Sequence, residues 1–568
     1  MLTRLNSIIR GHSAVSLNVI ETILLFLEKD MTPVIPVRGS ISASGDLIPL
    51  SYLAGALQGN PDIFVRTGKV HKDYRVVPAS EALKLAEIEP VVLAAKEGLG
   101  LLNGTAASAS VASLAIYESN HIAILSQLLT AMGCEALRGS ADSFRPFIAS
   151  VRPHKGQVEA AANILGFLSG SRLAHGMKGD GKHIEGLAQD RYPLRTSSQW
   201  VGPQLEDLML ATEQVTVELN STTDNPLIDV SANIVHHGGN FQAASITSAM
   251  EKTRLSLQMF GKMLFAQATE IINPALNRGL TPNLCADDPS LSFTCKGIDI
   301  AMAGYQSELA FLSNPVSTHV QSAEMHNQAI NSLALISARY TLQAVEIVTM
   351  MCANYLVMVC QALDLRVLQL QFFEQCRPNV AEMTGRVVQQ FLVAAPESSE
   401  IFIQGLWATI IKAWDGTTTL DLQGRCEKTA DMAASSLLQE IAKNTHLKAQ
   451  AHDVFTAVNV WKEGLALALA THYETARQEM FERHLHITPT YLGQASSKVY
   501  TFVRKELKVP FHRGLVEDPT CPLAEGQNAS FPTDTRKSIG SLISIVYGAL
   551  RDGTLHGPVM AAIKQDMP

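Results

Sequence analysis

Apolar residues recur at helical spacing along most of the chain. At residues 15–29 they fall largely three or four positions apart, until Asp30 and Pro33 end the pattern. Five longer stretches with few breakers predict long helices, at residues 106–132, 205–219, 243–272, 298–312 and 321–365. Helices of such lengths are typical of bundles and of oligomer cores.

Polar joints, several with Gly or Pro, separate these helices. They lie at residues 191–202, 220–226, 236–240 and 273–290. A Ser-rich stretch at 33–46 is predicted to be a loop, with a helix resuming near Leu50, and residues 60–90 are interpreted as surface connections. Because ligands are usually held on loops set into a rigid scaffold, the polar joints are the expected binding positions.

The pattern becomes less regular after about residue 370. Residues 374–485 carry more charge, with breaks at Pro378, Pro396 and Gly416, and are interpreted as an appended or inserted helical module. The tail predicts two more helices, near residues 496–507 and 536–552.

Composition favours a large folded protein and argues against a nucleic-acid binder. The 568 residues carry 45 Lys and Arg against 53 Asp and Glu, a net charge of −8, whereas nucleic-acid binding usually requires a basic excess on one face. Charged residues make up 17% and hydrophobic residues 46% of the chain. This composition excludes disorder for most of the chain and allows a large core with subunit interfaces.

Metal binding, secretion and membrane insertion are not indicated. The eight cysteines contain no CxxC pair, and His236 and His237 have no third ligand at helical spacing, so we expect no metal and reduced thiols in a cytoplasmic protein. No apolar signal core follows Met1. The most apolar run, residues 347–360, is shorter than the roughly 20 residues of a membrane helix and predicts a buried core helix.

The sharpest chemical feature is a loop of small residues, Gly39-Ser40-Ile41-Ser42-Ala43-Ser44-Gly45-Asp46. Gly45 has no side chain, so its amide nitrogen can approach the Ala43 carbonyl closely. Ring closure with loss of water, and loss of the Ser44 hydroxyl as a second water, would give 4-methylideneimidazol-5-one. That group is an electrophile, which no ordinary side chain supplies. Ala-Ser-Gly by itself is a weak signal, because small-residue loops are common and most of them are flexible turns.

This loop resembles the cofactor-forming loop of the aromatic amino acid ammonia-lyases, and most closely that of eukaryotic and fungal phenylalanine ammonia-lyases. Further matching motifs occur in family order, at residues 6–13, 96–105, 189–195, 221–229, 236–242, 321–337, 491–510 and 536–552. The resemblance therefore covers essentially the whole chain.

The resemblance implies a mainly α fold of the ammonia-lyase/fumarase-like type. We expect a cofactor-loop region at residues 1–95, a central bundle of long helices at 96–370, an inserted helical shielding module at 371–485 and a C-terminal helical segment at 486–568. The resemblance further implies a homotetramer in which each active site takes residues from three chains.

The resemblance implies that Ala43-Ser44-Gly45 forms the methylideneimidazolone autocatalytically, without an external cofactor. It places Asn103 on the cofactor oxygen, where negative charge develops, and Phe241 close to the cofactor. From the residues alone, Asn103 also lies in a Gly-x-Gly-x-x-x-Gly run that starts at Gly98. A dinucleotide-binding loop is the competing interpretation, although no clear strand pattern surrounds it.

Arg195 is the candidate carboxylate ligand. A guanidinium in this polar turn can hold a carboxylate through two parallel hydrogen bonds, although an arginine in a loop is more often a surface charge. By resemblance, Arg195 binds the substrate carboxylate with help from Asn225. Tyr192 would otherwise be an ordinary packed aromatic residue. The resemblance places it beside the methylidene group, where it takes part in proton transfer, and implies that Gln189 shares that hydrogen-bond network.

Two further groups are predicted from helical spacing. Lys296 and Ile300 fall one turn apart, and Glu324, Asn327 and Gln328 fall at positions i, i+3 and i+4 of one helix face. The second group precedes an apolar run, which indicates a buried polar site. By resemblance all five residues line the substrate pocket, with Glu324 near the substrate amine.

One family element has no counterpart in the sequence. Typical members carry the glycine-rich loop Tyr-Gly-Val-Thr-Thr-Gly-Phe-Gly, whose tyrosine is the base, upstream of the cofactor loop. The missing part also holds the residue pair thought to select phenylalanine, tyrosine or histidine. Two explanations stay open: a fragment of an active enzyme, or a short form that lost the base. In the short form Tyr192 is the only aromatic hydroxyl that the resemblance places beside the cofactor, and turnover should be slow or absent.

The function implied is elimination of ammonia from L-phenylalanine, with L-tyrosine as a second candidate, to give the arylacrylate trans-cinnamate. A base must remove a weakly acidic β-proton while Arg195 holds the carboxylate. Two alternatives are kept: a phenylalanine aminomutase giving β-phenylalanine, and a catalytically impaired short form that acts as an assembly partner. A dinucleotide-dependent oxidoreductase is a more distant alternative. No nucleic acid or membrane is expected as a partner.

Overall fold

A computed structural model describes residues 1–69, 74–177, 189–391, 396–443, 451–523, 529–532 and 535–563. The described residues are mainly helical. The helices, in chain order, are α1 (Leu2–Ile8), α2 (Leu17–Glu28), α3 (Leu47–Leu57), α4 (Ala79–Leu85), α5 (Glu97–Leu102), α6 (Ala106–Ala136), α7 (Pro146–Ser150), α8 (Lys155–Phe167), α9 (Tyr192–Arg195), α10 (Ser197–Leu219), α11 (Ala244–Ile272), α12 (Lys296–Leu312), α13 (Ala334–Phe391), α14 (Pro396–Asp415), α15 (Leu422–Lys443), α16 (Ala451–Ile487), α17 (Gln494–Thr501), α18 (Ile539–Arg551) and α19 (His556–Ile563). The mainly α fold class is thereby confirmed.

Short strands form two small sheets. Strands β1 (Met31–Pro33), β2 (Phe64–Thr67) and β3 (Arg75–Pro78) pair antiparallel in that order, and β4 (Leu227–Asp229) pairs antiparallel with β5 (Ile234–His236). The interpretation of residues 60–90 as surface connections was therefore wrong in part, because this stretch contains β2, β3 and α4. A strand of four residues is too short to show a recognisable alternation of hydrophobic and polar residues.

Several boundaries of the central helices differ from the sequence prediction. The helix expected from residue 321 begins only at Ala334 and continues to Phe391, through Pro378. Its late start follows from the conformation of the residues just before it. Leu333 adopts a left-handed conformation with φ +52°, and the Ser332 hydroxyl accepts a hydrogen bond from the Ala334 amide at 3.3 Å. The joint expected at residues 191–202 contains α9 and the first turns of α10.

The buried core helix predicted at residues 347–360 is confirmed as part of α13. Every residue from Met351 to Gln369 is buried. Among the described residues, α13 alone is long and apolar enough to cross a membrane by length and composition, yet 78% of its most apolar window is buried inside the protein. Such burial is typical of a core helix.

The residues form two compact units, defined by their internal contacts. Unit 1 comprises Met1–Ala123, Pro203–Phe260 and Ser307–Val348, and unit 2 comprises Ile124–Gly202, Gly261–Gln306 and Thr349–Pro568. In unit 1, α1, α2 and α3 contribute a buried cluster that includes Ile8, Phe26 and Leu57. In unit 2, the rings of Phe372, Trp414 and Tyr473 pack 4.7 to 5.5 Å apart. The four-segment division expected from the sequence stays a prediction.

None of the eight cysteines forms a disulfide in the structure, and seven of them are buried. Burial raises the pKa of the Cys352 and Cys360 thiols to about 12. Buried thiols of this kind are poor nucleophiles, because the thiolate is the reactive form.

Candidate active site

The loop between β1 and α3 brings Ala43-Ser44-Gly45 against the segment that precedes α6. Gly45 and Gly104 form an isolated parallel bridge, and the Asp46 amide donates to the Gly104 carbonyl at 2.7 Å. Gly45 has φ +72°, and a Cβ atom there would lie 2.2 Å from the Gly104 oxygen. Only glycine fits at position 45, for reasons of both conformation and space.

A buried carboxylate, Asp46, fixes one end of this loop. Its oxygens accept hydrogen bonds from the Ser42 hydroxyl at 2.7 Å, the Ser40 hydroxyl at 3.2 Å and the Ser108 amide at 2.6 Å. Burial raises the pKa of Asp46, and these hydrogen bonds oppose the shift. Asp46 is not among the candidate residues that the sequence pattern indicated. The available signal was an acidic residue placed directly after a run of small residues.

The residues before and at the start of α13 hold the same loop from its other side. The Ser332 hydroxyl donates to the Ser42 carbonyl at 2.8 Å, and the Leu335 amide donates to the Ser42 hydroxyl at 3.1 Å. Ser42 itself has φ +50°, which is unfavourable for a residue with a side chain. Contacts on both sides therefore hold the loop in a strained conformation, a feature that is typical of functional sites.

Gln328 contacts the residue that the proposed ring closure must dehydrate. Its side-chain amide donates to the Ser44 hydroxyl at 3.0 Å. The structure thus joins two candidate residues that lie far apart in the sequence.

The predicted helix face at Glu324, Asn327 and Gln328 was wrong. Glu324 and the two residues after it are left-handed, with φ between +47° and +68°, so this segment is a turn. Asn327 still donates to the Glu324 carboxylate at 3.1 Å. Glu324 and Asn327 are exposed and Gln328 is half-buried, so the buried polar site expected here is not formed within the single chain. Helical spacing alone could not reveal consecutive left-handed residues.

Asn103 and Asn225 lie together in unit 1. The Asn103 side-chain amide donates to the Asn225 carbonyl at 3.0 Å, and the Asn225 side-chain oxygen accepts from the Gly238 amide at 2.8 Å. Asn103 is buried, and Phe241 is half-buried. These contacts hold the Asn103 side chain at the end of α5, one residue before Gly104.

The glycine run at Gly98 does not form a dinucleotide-binding turn. Gly98 and Gly100 lie inside α5, and no strand directly precedes that helix in the described residues. A Cβ atom at Gly100 would lie 2.5 Å from a Val15 methyl group, so this glycine allows close packing. The strand–turn–helix context that nucleotide binding needs is not present there.

Three candidate residues cluster around the short helix α9 in unit 2. Arg195 donates to the Gln189 side-chain oxygen at 2.6 Å, and its guanidinium lies 5.9 Å from the centre of the Tyr192 ring. The Tyr192 side chain is 70% exposed, whereas Leu194 between them is buried. The buried Leu194 anchors the turn and leaves the polar groups facing outward.

Lys296 and Ile300 lie one turn apart at the start of α12, as their spacing predicted. Both are exposed, and the Lys296 ammonium lies 4.4 Å from the centre of the Phe293 ring.

The candidate residues divide between the two units. Unit 1 holds Ala43, Ser44, Gly45, Asn103, Asn225, Phe241, Glu324, Asn327 and Gln328, and unit 2 holds Gln189, Tyr192, Arg195, Lys296 and Ile300.

The described residues contain no group of three or more His, Cys, Asp or Glu side chains that could hold a metal ion. His236 and His237 are both exposed, with His236 at the end of β5.

Gly45→Ala is expected to prevent ring closure while leaving the rest of the chain folded. The new methyl group would collide with the Gly104 carbonyl and disfavour the left-handed conformation. Intact mass measurement should find the variant without the loss of two water molecules expected for the wild type. Gly98→Ala is the matched control, because no atom lies within 4 Å of its Cβ position and alanine favours the helix. A Gly45→Ala protein that has lost two water molecules would contradict the steric argument.

Known proteins match this chain over almost its whole length. A family model described as aromatic amino acid lyase matches residues 1–390. A protein named phenylalanine ammonia-lyase from Aspergillus hancockii is 51% identical over 564 residues, which are 99% of this chain and 79% of the relative. A protein named phenylalanine aminomutase (L-beta-phenylalanine forming) from Talaromyces islandicus is 45% identical over 99% of this chain and 76% of its own length.

A solved structure has the same fold. The crystal structure of phenylalanine ammonia-lyase from Rhodosporidium toruloides superposes with a TM-score of 0.90 at 40% identity, and it covers 99% of this chain and 82% of that one.

Proposed function

The chain belongs to the aromatic amino acid lyase family and is a carbon–nitrogen lyase, and from this premise we propose that it eliminates ammonia from L-phenylalanine to give trans-cinnamate. The observation that carries the proposal is the strained loop in which Gly45 lies against Gly104 while Gln328 holds the Ser44 hydroxyl. Relatives named phenylalanine ammonia-lyase, at 51% and 50% identity, support this choice of substrate. L-Tyrosine is the second candidate substrate.

We propose that Ala43-Ser44-Gly45 cyclises to 4-methylideneimidazol-5-one. The residues present fit this group, because Gly45 allows the close backbone approach that ring closure needs and the Ser44 hydroxyl has a hydrogen-bond donor in Gln328. When formed, the group supplies an electrophile that turns the substrate amine into a leaving group. Asn103 supports it by presenting a side-chain amide one residue before Gly104, and Phe241 supplies apolar surface.

Arg195 is proposed to bind the substrate carboxylate. Its contact with Gln189 fixes one side of the guanidinium and leaves further N–H groups for a second acceptor. Asn225 is proposed to assist it, and Glu324 is proposed to accept the substrate amine. Lys296, Ile300 and Asn327 are proposed to line the remaining pocket.

Tyr192 is proposed to take part in proton transfer. Its side chain is largely exposed, and it lies in the same short helix as Arg195. This helix therefore presents both the Tyr192 hydroxyl and the guanidinium that is proposed to bind the substrate carboxylate. Proton removal from a weak carbon acid needs a well-placed base and exclusion of water.

We infer a homotetramer with shared active sites, in a cytoplasmic setting. The support is that Tyr192 and Ile300 are 70% and 66% exposed, which leaves them available to another copy of the chain. The eight free thiols fit a reducing compartment.

Two other functions are candidates. The 45% identical relative named phenylalanine aminomutase supports a mutase that returns ammonia to the β-carbon. An impaired form that acts as an assembly partner is the other candidate, and the turnover of the purified chain distinguishes it from the lyase and the mutase.

The purified chain, incubated with L-phenylalanine or L-tyrosine, is expected to release an arylacrylate. Chiral liquid chromatography with mass detection separates trans-cinnamate from β-phenylalanine, and the product ratio distinguishes the lyase from the mutase. Intact mass measured in parallel reports ring closure. The lyase proposal would be rejected if the chain has lost two water molecules but gives no product under conditions in which a fungal relative is active. That result would favour the assembly partner.

A further inference from the structure

Asp190 is held firmly at both carboxylate oxygens, next to the turn that carries Gln189, Tyr192 and Arg195. One oxygen accepts from the Ser140 backbone amide at 2.6 Å, and the other accepts from the Arg278 guanidinium at 2.6 Å. The Asp190 side chain is only 5% exposed. Removal of either partner would leave a buried carboxylate oxygen unsatisfied, which is costly.

Arg278 ties this carboxylate to the end of α6. Besides Asp190, its guanidinium donates to the backbone carbonyls of Leu137 at 3.2 Å and Arg138 at 2.6 Å. Arg278 has φ +56°, and its own carbonyl accepts from the buried Arg366 at 2.9 Å. Arg366 also donates to the Asn277 carbonyl at 2.8 Å, so the segment that carries Arg278 is itself fixed from the core.

The same segment holds the turn at a second point. Arg191 donates to the Glu270 carboxylate at 3.3 Å and to the Leu276 carbonyl at 3.1 Å. Residues 190 and 191 are therefore both fixed to residues 270–278. Gln189, the residue before them, accepts the hydrogen bond from Arg195 at 2.6 Å.

We propose that Arg278 is a positioning residue for substrate binding, which acts through Asp190 and Gln189 on the orientation of Arg195. This inference rests on the proposed role of Arg195 as the carboxylate ligand. Arg278 itself touches neither Arg195 nor Tyr192 in the described contacts. A displacement of about 1 Å in a substrate-positioning group can cost roughly 100-fold in rate, so loss of this anchor should be measurable.

A double-mutant cycle with Asp190→Asn and Arg278→Gln tests the proposal. Each single variant is expected to lower kcat/KM for L-phenylalanine roughly 10- to 100-fold. The loss should appear mainly as a higher KM, because Arg278 and Asp190 are proposed to orient Arg195, which binds the substrate carboxylate. If Arg278 acts through Asp190, the double variant should be no worse than the more affected single variant. Effects that multiply in the double variant would overturn the proposal.

A conservative variant and a matched pair separate positioning from general stability. Arg278→Lys keeps the charge but loses the planar fork, so its KM is expected to lie between those of the wild type and Arg278→Gln. Arg386→Gln and Glu382→Gln disrupt an ion pair whose side chains are 74% and 66% exposed, and they should leave KM unchanged. A KM for Arg278→Lys no lower than that for Arg278→Gln would contradict an orienting role.

Amide hydrogen exchange tests the anchor without using activity. Residues 189–195 should exchange faster in Arg278→Gln and in Asp190→Asn than in the wild type, while the amides of residues 40–46 should not change. If the wild type lacks lyase activity, the proposed function fails, yet this exchange difference still reports on the anchor. Equal exchange at residues 189–195 in all variants would reject the positioning role.

Discussion

Ser44→Ala is expected to abolish both formation of the exocyclic methylene and lyase activity. The second water lost in ring formation is the Ser44 hydroxyl, so alanine cannot give the exocyclic methylene. Without that electrophile the substrate amine stays a poor leaving group, and kcat should fall by about 10⁴-fold or more, the scale found when a group that forms a covalent intermediate is removed. The fold should persist, because the side-chain hydrogen bond described for Ser44 is the one from Gln328.

Intact mass and product formation are the two measurements for this variant. The Ser44→Ala chain should lack the loss of two waters and should give no cinnamate above background. Ser51→Ala is the matched control, since its hydroxyl donates to the Ile48 carbonyl within α3, outside the cyclising triad. It should retain both the mass change and the activity. Cinnamate production by Ser44→Ala at the wild-type rate would reject the proposed electrophile.

Arg195→Met is expected to weaken substrate binding without affecting the cofactor. Methionine keeps much of the side-chain volume but removes the donors that would hold the carboxylate. Loss of a charged hydrogen-bonded pair costs about 3 kcal/mol, which corresponds to roughly 100-fold in KM. Ring closure should proceed as in the wild type, because the described contacts around Ser44 and Gly45 come from residues of unit 1 and Arg195 belongs to unit 2.

Steady-state kinetics and intact mass together test this prediction. Arg195→Lys should lie between the wild type and Arg195→Met, since lysine keeps the charge but offers no planar pair of donors. Arg386→Met changes an arginine whose side chain is 74% exposed and should leave KM unchanged. An unchanged KM in Arg195→Met would assign the carboxylate to another residue, and loss of ring closure would indicate a structural role for Arg195.

The sequence predicted most of the helical framework and the family. Long runs at helical spacing predicted α6, α11 and α12 to within a few residues and the buried centre of α13, because a helix that buries one face must repeat apolar residues at that period. The resemblance found through the motifs around Ala43 and Arg195 is confirmed by the family match. Motifs of this kind consist of consecutive residues, so they can be recognised in the sequence without knowledge of the tertiary structure.

Only the tertiary structure decided how these residues are held. The left-handed residues at 324–326 and at 333 break the helix that spacing predicted, because their conformation depends on contacts with distant segments such as the one between the Leu333 amide and the Ile41 carbonyl. The hydrogen bonds of Asp46 to Ser108, of Gln328 to Ser44 and of Arg278 to Asp190 join positions 62 to 284 residues apart. Sequence order determines which groups are available and which local conformations they prefer. Packing of distant segments determines which buried polar groups meet, and no local pattern records those pairings.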